Sequence, residues 1–144
     1  MTQTTDTPAI FLVERDLESR SALAAGLRSD GMYVIEFARS AEALAAVSNG
    51  GRPAVLVITP EGDGVTDCEL ACQAKAASPQ TNIVFTYEPC GATKPTPEFH
   101  ALVKPFKPSK LSRFIRLVVA KPALRGTLQS AYRRAHSSSA RQVP

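Results

Sequence analysis

The chain has 144 residues, 44% of them hydrophobic and 21% charged, with a formal net charge of +4. That is one ordinary domain with enough apolar residues for a core, which excludes disordered and fibrous classes. No apolar run reaches the roughly 18 residues that cross a bilayer, and the start MTQTTDTPA has neither a basic nor an apolar leader region, so a cytoplasmic protein with no membrane contact is expected. Three cysteines cannot all pair within one chain and none has zinc-knuckle spacing, so free thiols are expected. The charge is uneven. Residues 1–98 hold 7 Lys+Arg against all 13 Asp+Glu, whereas residues 99–144 hold 10 Lys+Arg and no acid.

Residues 1–7 read as a disordered start, and Ala9 to Val13 (AIFLV) as a strand buried on both faces of a parallel sheet. A helix follows in SRSALAAGLRSDG, with Leu23 and Leu27 on one face and Gly31 as its stop. Tyr33 to Phe37 predicts a second strand, and SAEALAAVSNGG a second helix with Ser40 as N-cap and Gly50-Gly51 at its end. The run GGRPAV carries no phosphate-cradling glycine pattern and serves as a helix stop and a turn. Pro53 to Ile58 is the third strand, and Thr66 to Ala77 the third helix, with Leu70, Ala74 and Ala77 sharing a face before Pro79.

Asn82 to Thr86 and His100 to Val103 are the fourth and fifth strands. Between them Pro89, Gly91, Pro95 and Pro97 oppose a regular helix, so the fourth of five expected helices is short, distorted or absent. The last core helix is the clearest. Leu111, Phe114, Ile115, Val118 and Val119 recur at helical spacing opposite Lys110, Arg113 and Arg116, and Pro108 suits the first turn. Alternating strands and helices predict an α/β fold, a flavodoxin-like doubly wound five-stranded parallel sheet of order 2-1-3-4-5 with helices on both faces. The core domain spans residues 8–121. Residues 122–136 read as an extra basic amphipathic helix carrying Leu124, Leu128 and Tyr132, and residues 137–144 as a disordered tail.

Functional groups of such a sheet gather where its strands end. Here these are Glu14, Arg15, Asp16, Thr59, Thr86 and Lys104. In FLVERDLESR, VLVITPEGDG, IVFTYE and above all LVKPFKPSKL the chain resembles the receiver domain of two-component response regulators, over roughly residues 8 to 121. The resemblance implies an acidic pair after the first strand, a phosphoacceptor aspartate after the third, a switch threonine at Thr86 and a conserved-type lysine at Lys104.

The departures are chemical. The acidic pair is Glu14 and Arg15, and the aspartate's position holds Thr59. A guanidinium brings charge and no oxygen ligand to a hard cation, and a threonine hydroxyl is a poor nucleophile at neutral pH without a base. Neither magnesium nor any other cofactor is therefore expected, and aspartyl phosphorylation at residue 59 is impossible. Glu61 and Asp63 lie close enough in sequence to reach the same mouth, and Asp16 or Asp63 is the candidate for a relocated phosphoacceptor. The expectation is a structural ion-pair cluster in which Arg15 and Lys104 fill the pocket and pair with Glu14, Asp16 or Glu61. At the switch, the family's aromatic position before the lysine is Ala101, with Phe99 or Tyr87 as a neighbouring replacement.

Cys68 and Cys72 stand four apart on a helix, too few for a zinc site, and read as buried or part-buried thiols. His100 and His136 have no nucleophile at recognisable spacing, and His100 reads as a strand-edge residue. The leading function is a stand-alone pseudo-receiver, not an enzyme, which binds another protein such as a kinase or regulator, with a homodimer as a further option. Tyr87, Phe99, Arg113, Arg116, Leu124, Leu128 and Tyr132 are its candidate partner surface. A nucleic-acid-binding regulator using the basic C-terminal third is the alternative, against which stands the absence of any recognised motif.

Overall fold

The computed structural model describes residues 7–60, 65–88 and 99–120. Its elements run β1 (Ala9–Val13), α1 (Leu17–Ser29), β2 (Tyr33–Phe37), α2 (Ser40–Ser48), β3 (Val55–Ile58), α3 (Val65–Ala77), β4 (Asn82–Tyr87), β5 (His100–Val103) and α4 (Pro108–Ala120). The strands form one sheet of order β2-β1-β3-β4-β5, and every neighbouring pair is parallel. The expected five-stranded flavodoxin-like sheet is what the chain forms. Four helices stand among the described residues; the segment expected to hold a weakened fourth one, and the basic stretch from residue 121 onward with Leu124, Leu128 and Tyr132, lie outside them.

Two apolar clusters cover the two faces of the sheet. On one face Ile10, Leu12, Val57 and Val84 pack against Leu23 and Leu27 of α1 and Leu111, Ile115 and Val118 of α4. On the other, Phe11, Leu56, Ile58, Ile83 and Phe85 pack against Ala43 and Val47 of α2 and Leu70, Ala71 and Ala74 of α3. Because successive strand residues point to opposite faces, a strand covered on both sides must be apolar throughout, which explains the unbroken VLVI of β3. Where α1 meets α4, a Cβ on Gly26 would stand 2.3 Å from the Pro108 Cβ, so the missing side chain allows the close approach. Gly31 and Gly50 end α1 and α2 with φ of 89° and 105°, which L side chains rarely adopt.

Three local expectations change. Helix α1 begins at Leu17, two residues before the SRSALAAGLRSDG stretch read as helical, and Asp16 caps it. Ser40 is the first residue of α2 and Arg39 its N-cap, because the Ser40 hydroxyl is directed to Asp67 of α3 at 2.5 Å. This buried contact ties the two helices together in place of a conventional cap. Ala77 ends α3 exposed, and Ala71 takes its place on the apolar face with Leu70 and Ala74.

Candidate functional site

The carboxyl ends of β1, β3, β4 and the chain after β5 bring Glu14, Thr59, Thr86 and Lys104 to one mouth. Thr59 is held beside β1 by its amide, which donates to the Val13 carbonyl at 3.0 Å, and the Lys104 amide donates to the Tyr87 carbonyl at 2.8 Å. The Lys104–Pro105 peptide bond is cis. Glu14 is 4% exposed, and its Oε1 receives the Lys104 ammonium at 3.2 Å while its Oε2 accepts the Asp16 amide at 3.0 Å. Both carboxylate oxygens of this buried acid are thereby engaged, one by a charge and one by backbone, as a desolvated carboxylate requires. Beside it the Thr59 and Thr86 hydroxyls share one hydrogen bond at 2.6 Å, and Thr86 is fully buried. A cleft of about 480 Å³ opens next to this mouth, lined by Glu14, Lys104, Pro105 and Phe106 together with Ala22 and Leu23 of α1.

Asp16 has turned to another task. Its carboxylate accepts the Ser19 amide at 2.9 Å as the cap of α1. That backbone hydrogen bond, then the Ser19 hydroxyl, hold its pKa below the ordinary carboxylate value; desolvation opposes them, and the charges of Lys104 and Arg20 add smaller effects in the lowering direction. Arg15, expected in the pocket, is exposed, and no ion pair of its guanidinium stands among the described contacts.

Arg20, one helical turn after Asp16, supplies the missing guanidinium. It donates to the Glu14 carbonyl at 2.9 Å and pairs with Glu36 of β2 at 3.4 Å, and Arg28 reaches the same Glu36 at 3.0 Å. The sequence signal was Glu36 itself, a charge at a β2 position whose alternation places it with buried Val34 on the α1 side. The strand-end pattern does not point to Arg20, because it lies inside α1 and its acid lies on a neighbouring strand.

Of the remaining candidates, Tyr87 is half-buried at the end of β4, and Ala101 sits opposite Phe85 on β5. Phe99 cannot serve as a partner surface. It is buried, with its ring centroid 5.7 Å from that of Phe85, and so supplies the aromatic bulk next to Ala101 from inside the core. Arg113 and Arg116 are exposed on α4, where Arg116 also donates to the Asp30 carbonyl at the end of α1. Cys68 and Cys72, expected to be buried or part-buried free thiols, are free but both exposed on α3. His100 opens the edge strand β5, buried edge-on against the Phe114 ring. Glu61 and Asp63 lie outside the described residues.

The donors at the mouth do not fit a magnesium ion. Such an ion takes several oxygen ligands, carboxylates foremost. Here Glu14 is occupied by Lys104, Asp16 by Ser19, and the third-strand position is a hydroxyl shared with Thr86. Among the described residues no group of three His, Cys, Asp or Glu side chains is placed to hold a metal. None of the helices described is long and apolar enough to cross a membrane.

Comparison with solved structures places this geometry in a known architecture. The chain is similar to a response regulator receiver protein from Sinorhizobium medicae, at 20% identity and a TM-score of 0.63 over 77% of this chain and 96% of that one. It is also similar to the chemotaxis response regulator CheY4 of Vibrio cholerae, at 22% identity and a TM-score of 0.61 over 76% and 97% of the two chains. A CheY-like receiver domain protein from Methanospirillum hungatei matches at 15% identity and a TM-score of 0.66, over 82% of this chain and 97% of that chain. The fold is thus the flavodoxin-like fold of response-regulator receiver domains. No protein-family model matches the chain, and neither does any curated protein.

Proposed function

We propose that this chain is a receiver-type module of two-component signalling that works without a phosphoryl switch, by binding another protein. One observation carries the reading: the mouth where a receiver would hold metal and phosphoaspartate is filled by two internal pairs, Glu14 with Lys104 and Thr59 with Thr86. Lys104, the cation that would meet a phosphoryl group, is committed to a buried carboxylate. The Thr59 hydroxyl has no histidine or free carboxylate as a base among its described contacts, so its nucleophilicity stays that of an ordinary alcohol. With no covalent switch, regulation comes from the concentration of the chain and of its partner.

The partner surface supported best is the solvent face of α4, where Lys110, Arg113 and Arg116 are exposed and no acid is present. That charge favours an acidic protein surface and would steer its approach. The same cations favour nucleic acid as a second reading, which differs by a steep loss of binding with salt, tracking the number of phosphates neutralised.

Amide NMR spectra with and without Mg²⁺ and beryllium fluoride test the proposal. The expected result is no saturable shift at residues 14–16, 59, 86 and 104. Saturable shifts there would restore a metal-dependent switch and overturn it, and would make Asp16, Glu61 and Asp63 the residues to replace.

A further inference from the structure

Among the described residues, a pair of soft, metal-ligating side chains that the signalling reading leaves unused lies on α3. The buried stripe of this helix is Leu70, Ala71 and Ala74, joined at its first turn by buried Asp67. Cys68 and Cys72 are four residues apart on the opposite side, and both are exposed. At that spacing two side chains lie one above the other, with Cβ atoms about 5–6 Å apart, on a backbone held rigid by the sheet beneath. Exposed thiols can lose their protons to water without the burial penalty that keeps core cysteines inert.

We propose that Cys68 and Cys72 form a two-thiolate site for a soft monovalent metal ion, with Cu(I) as its best occupant. Thiolate sulfur selects soft ions. A zinc ion would need four protein ligands for a closed tetrahedral site, and the described residues offer no third His, Cys, Asp or Glu to such a group. A linear two-coordinate ion has no such need. Binding releases two protons, one from each thiol, and forms two Cu–S bonds with no change of oxidation state, so the site carries one net negative charge when loaded. It lies on the α2/α3 side of the sheet, opposite the face that α1 and α4 cover.

The test uses the full chain, reduced and anaerobic, titrated with Cu(I) against a coloured competing chelator. The expected result is one Cu(I) per chain, with an ultraviolet sulfur-to-copper band. Either Cys68→Ser or Cys72→Ser is expected to weaken binding about a hundredfold or more, the advantage of a second ligand on one scaffold. Cys90→Ser, at a position outside the described residues, is expected to leave it unchanged. The substituted positions are exposed, so circular dichroism should match the parent chain. Affinity as high as the parent chain's in either the Cys68→Ser or the Cys72→Ser variant would overturn the proposal, as would a dependence on Cys90. One copper shared by two chains would also overturn it, because the site would then belong to an interface.

Discussion

Leu12, Val57 and Val84 stand side by side on three neighbouring strands, all fully buried in the cluster beneath α1 and α4. Two residues further along each strand, on the same face by the period of a strand, come Glu14, Thr59 and Thr86. At the sheet's edge the rows shift by one step, since Leu102 of β5 pairs with Thr86 and Lys104 follows two residues later. The two rows obey different rules. The interior row is held by the area it removes from water and tolerates any apolar residue of the right size. The rim row is polar, and what counts there is whether each buried group finds a partner. The rim's chemistry can therefore vary while the interior keeps the fold.

Breaking the interior should have the largest effect. Leu12→Ala leaves a cavity in the fully buried cluster and is expected to lower the unfolding free energy by about 3 kcal/mol, read from urea denaturation. A loss under about 1 kcal/mol would mean that the sheet relaxes around the site more than its close packing allows.

At the rim, Lys104→Met removes the ammonium and leaves the Glu14 carboxylate buried with one oxygen unpaired. Lys104 is itself partly exposed, so the cost is expected at about 2 kcal/mol, below that of a wholly buried pair. Adding Glu14→Gln to the same chain should recover part of the loss, and additive effects of the two changes would show that the pair is not coupled. Thr59→Val is smaller. It deprives the buried Thr86 hydroxyl of its partner, with an expected loss of about 1 kcal/mol in the same denaturation measurement and no change in fold.

Asp16 gives the smallest effect and one that depends on pH. Its folded pKa is depressed by the Ser19 amide, so its ionised form adds stability above the ordinary carboxylate range. That contribution disappears as pH falls through the depressed value. Asp16→Asn keeps an N-capping oxygen but cannot ionise, so thermal unfolding should separate the two chains at neutral pH and bring them together in strong acid. A gap that stays constant with pH would mean that the charge of Asp16 has no part in holding α1.

The order of elements was readable because each one carries its own period. The apolar runs of β1, β3 and β4 mark strands covered on both faces, and Leu111, Ile115 and Val118 mark the stripe of α4. At the site, the list of strand-end residues could be read off and Glu14 stood among three acids named for Lys104, but the choice among them could not. Arg15 stood next to Glu14 in sequence and yet is exposed, whereas Arg20, a turn further on, reaches the Glu14 carbonyl. The two cysteines show the same limit. Spacing put them on one face of α3, while which face is buried depended on where α2 and the sheet meet that helix.

The sequence by itself determined the strand and helix pattern, the parallel sheet and the hydroxyl side chain at residue 59, since these follow from local periodicity and from the identity of single side chains. Only the tertiary structure decided that Lys104 neutralises Glu14 across 90 positions of chain, that Thr59 meets Thr86, and that Phe99 turns into the core. Those outcomes rest on which groups are desolvated together, and desolvation is a property of the assembled layers, not of any segment alone.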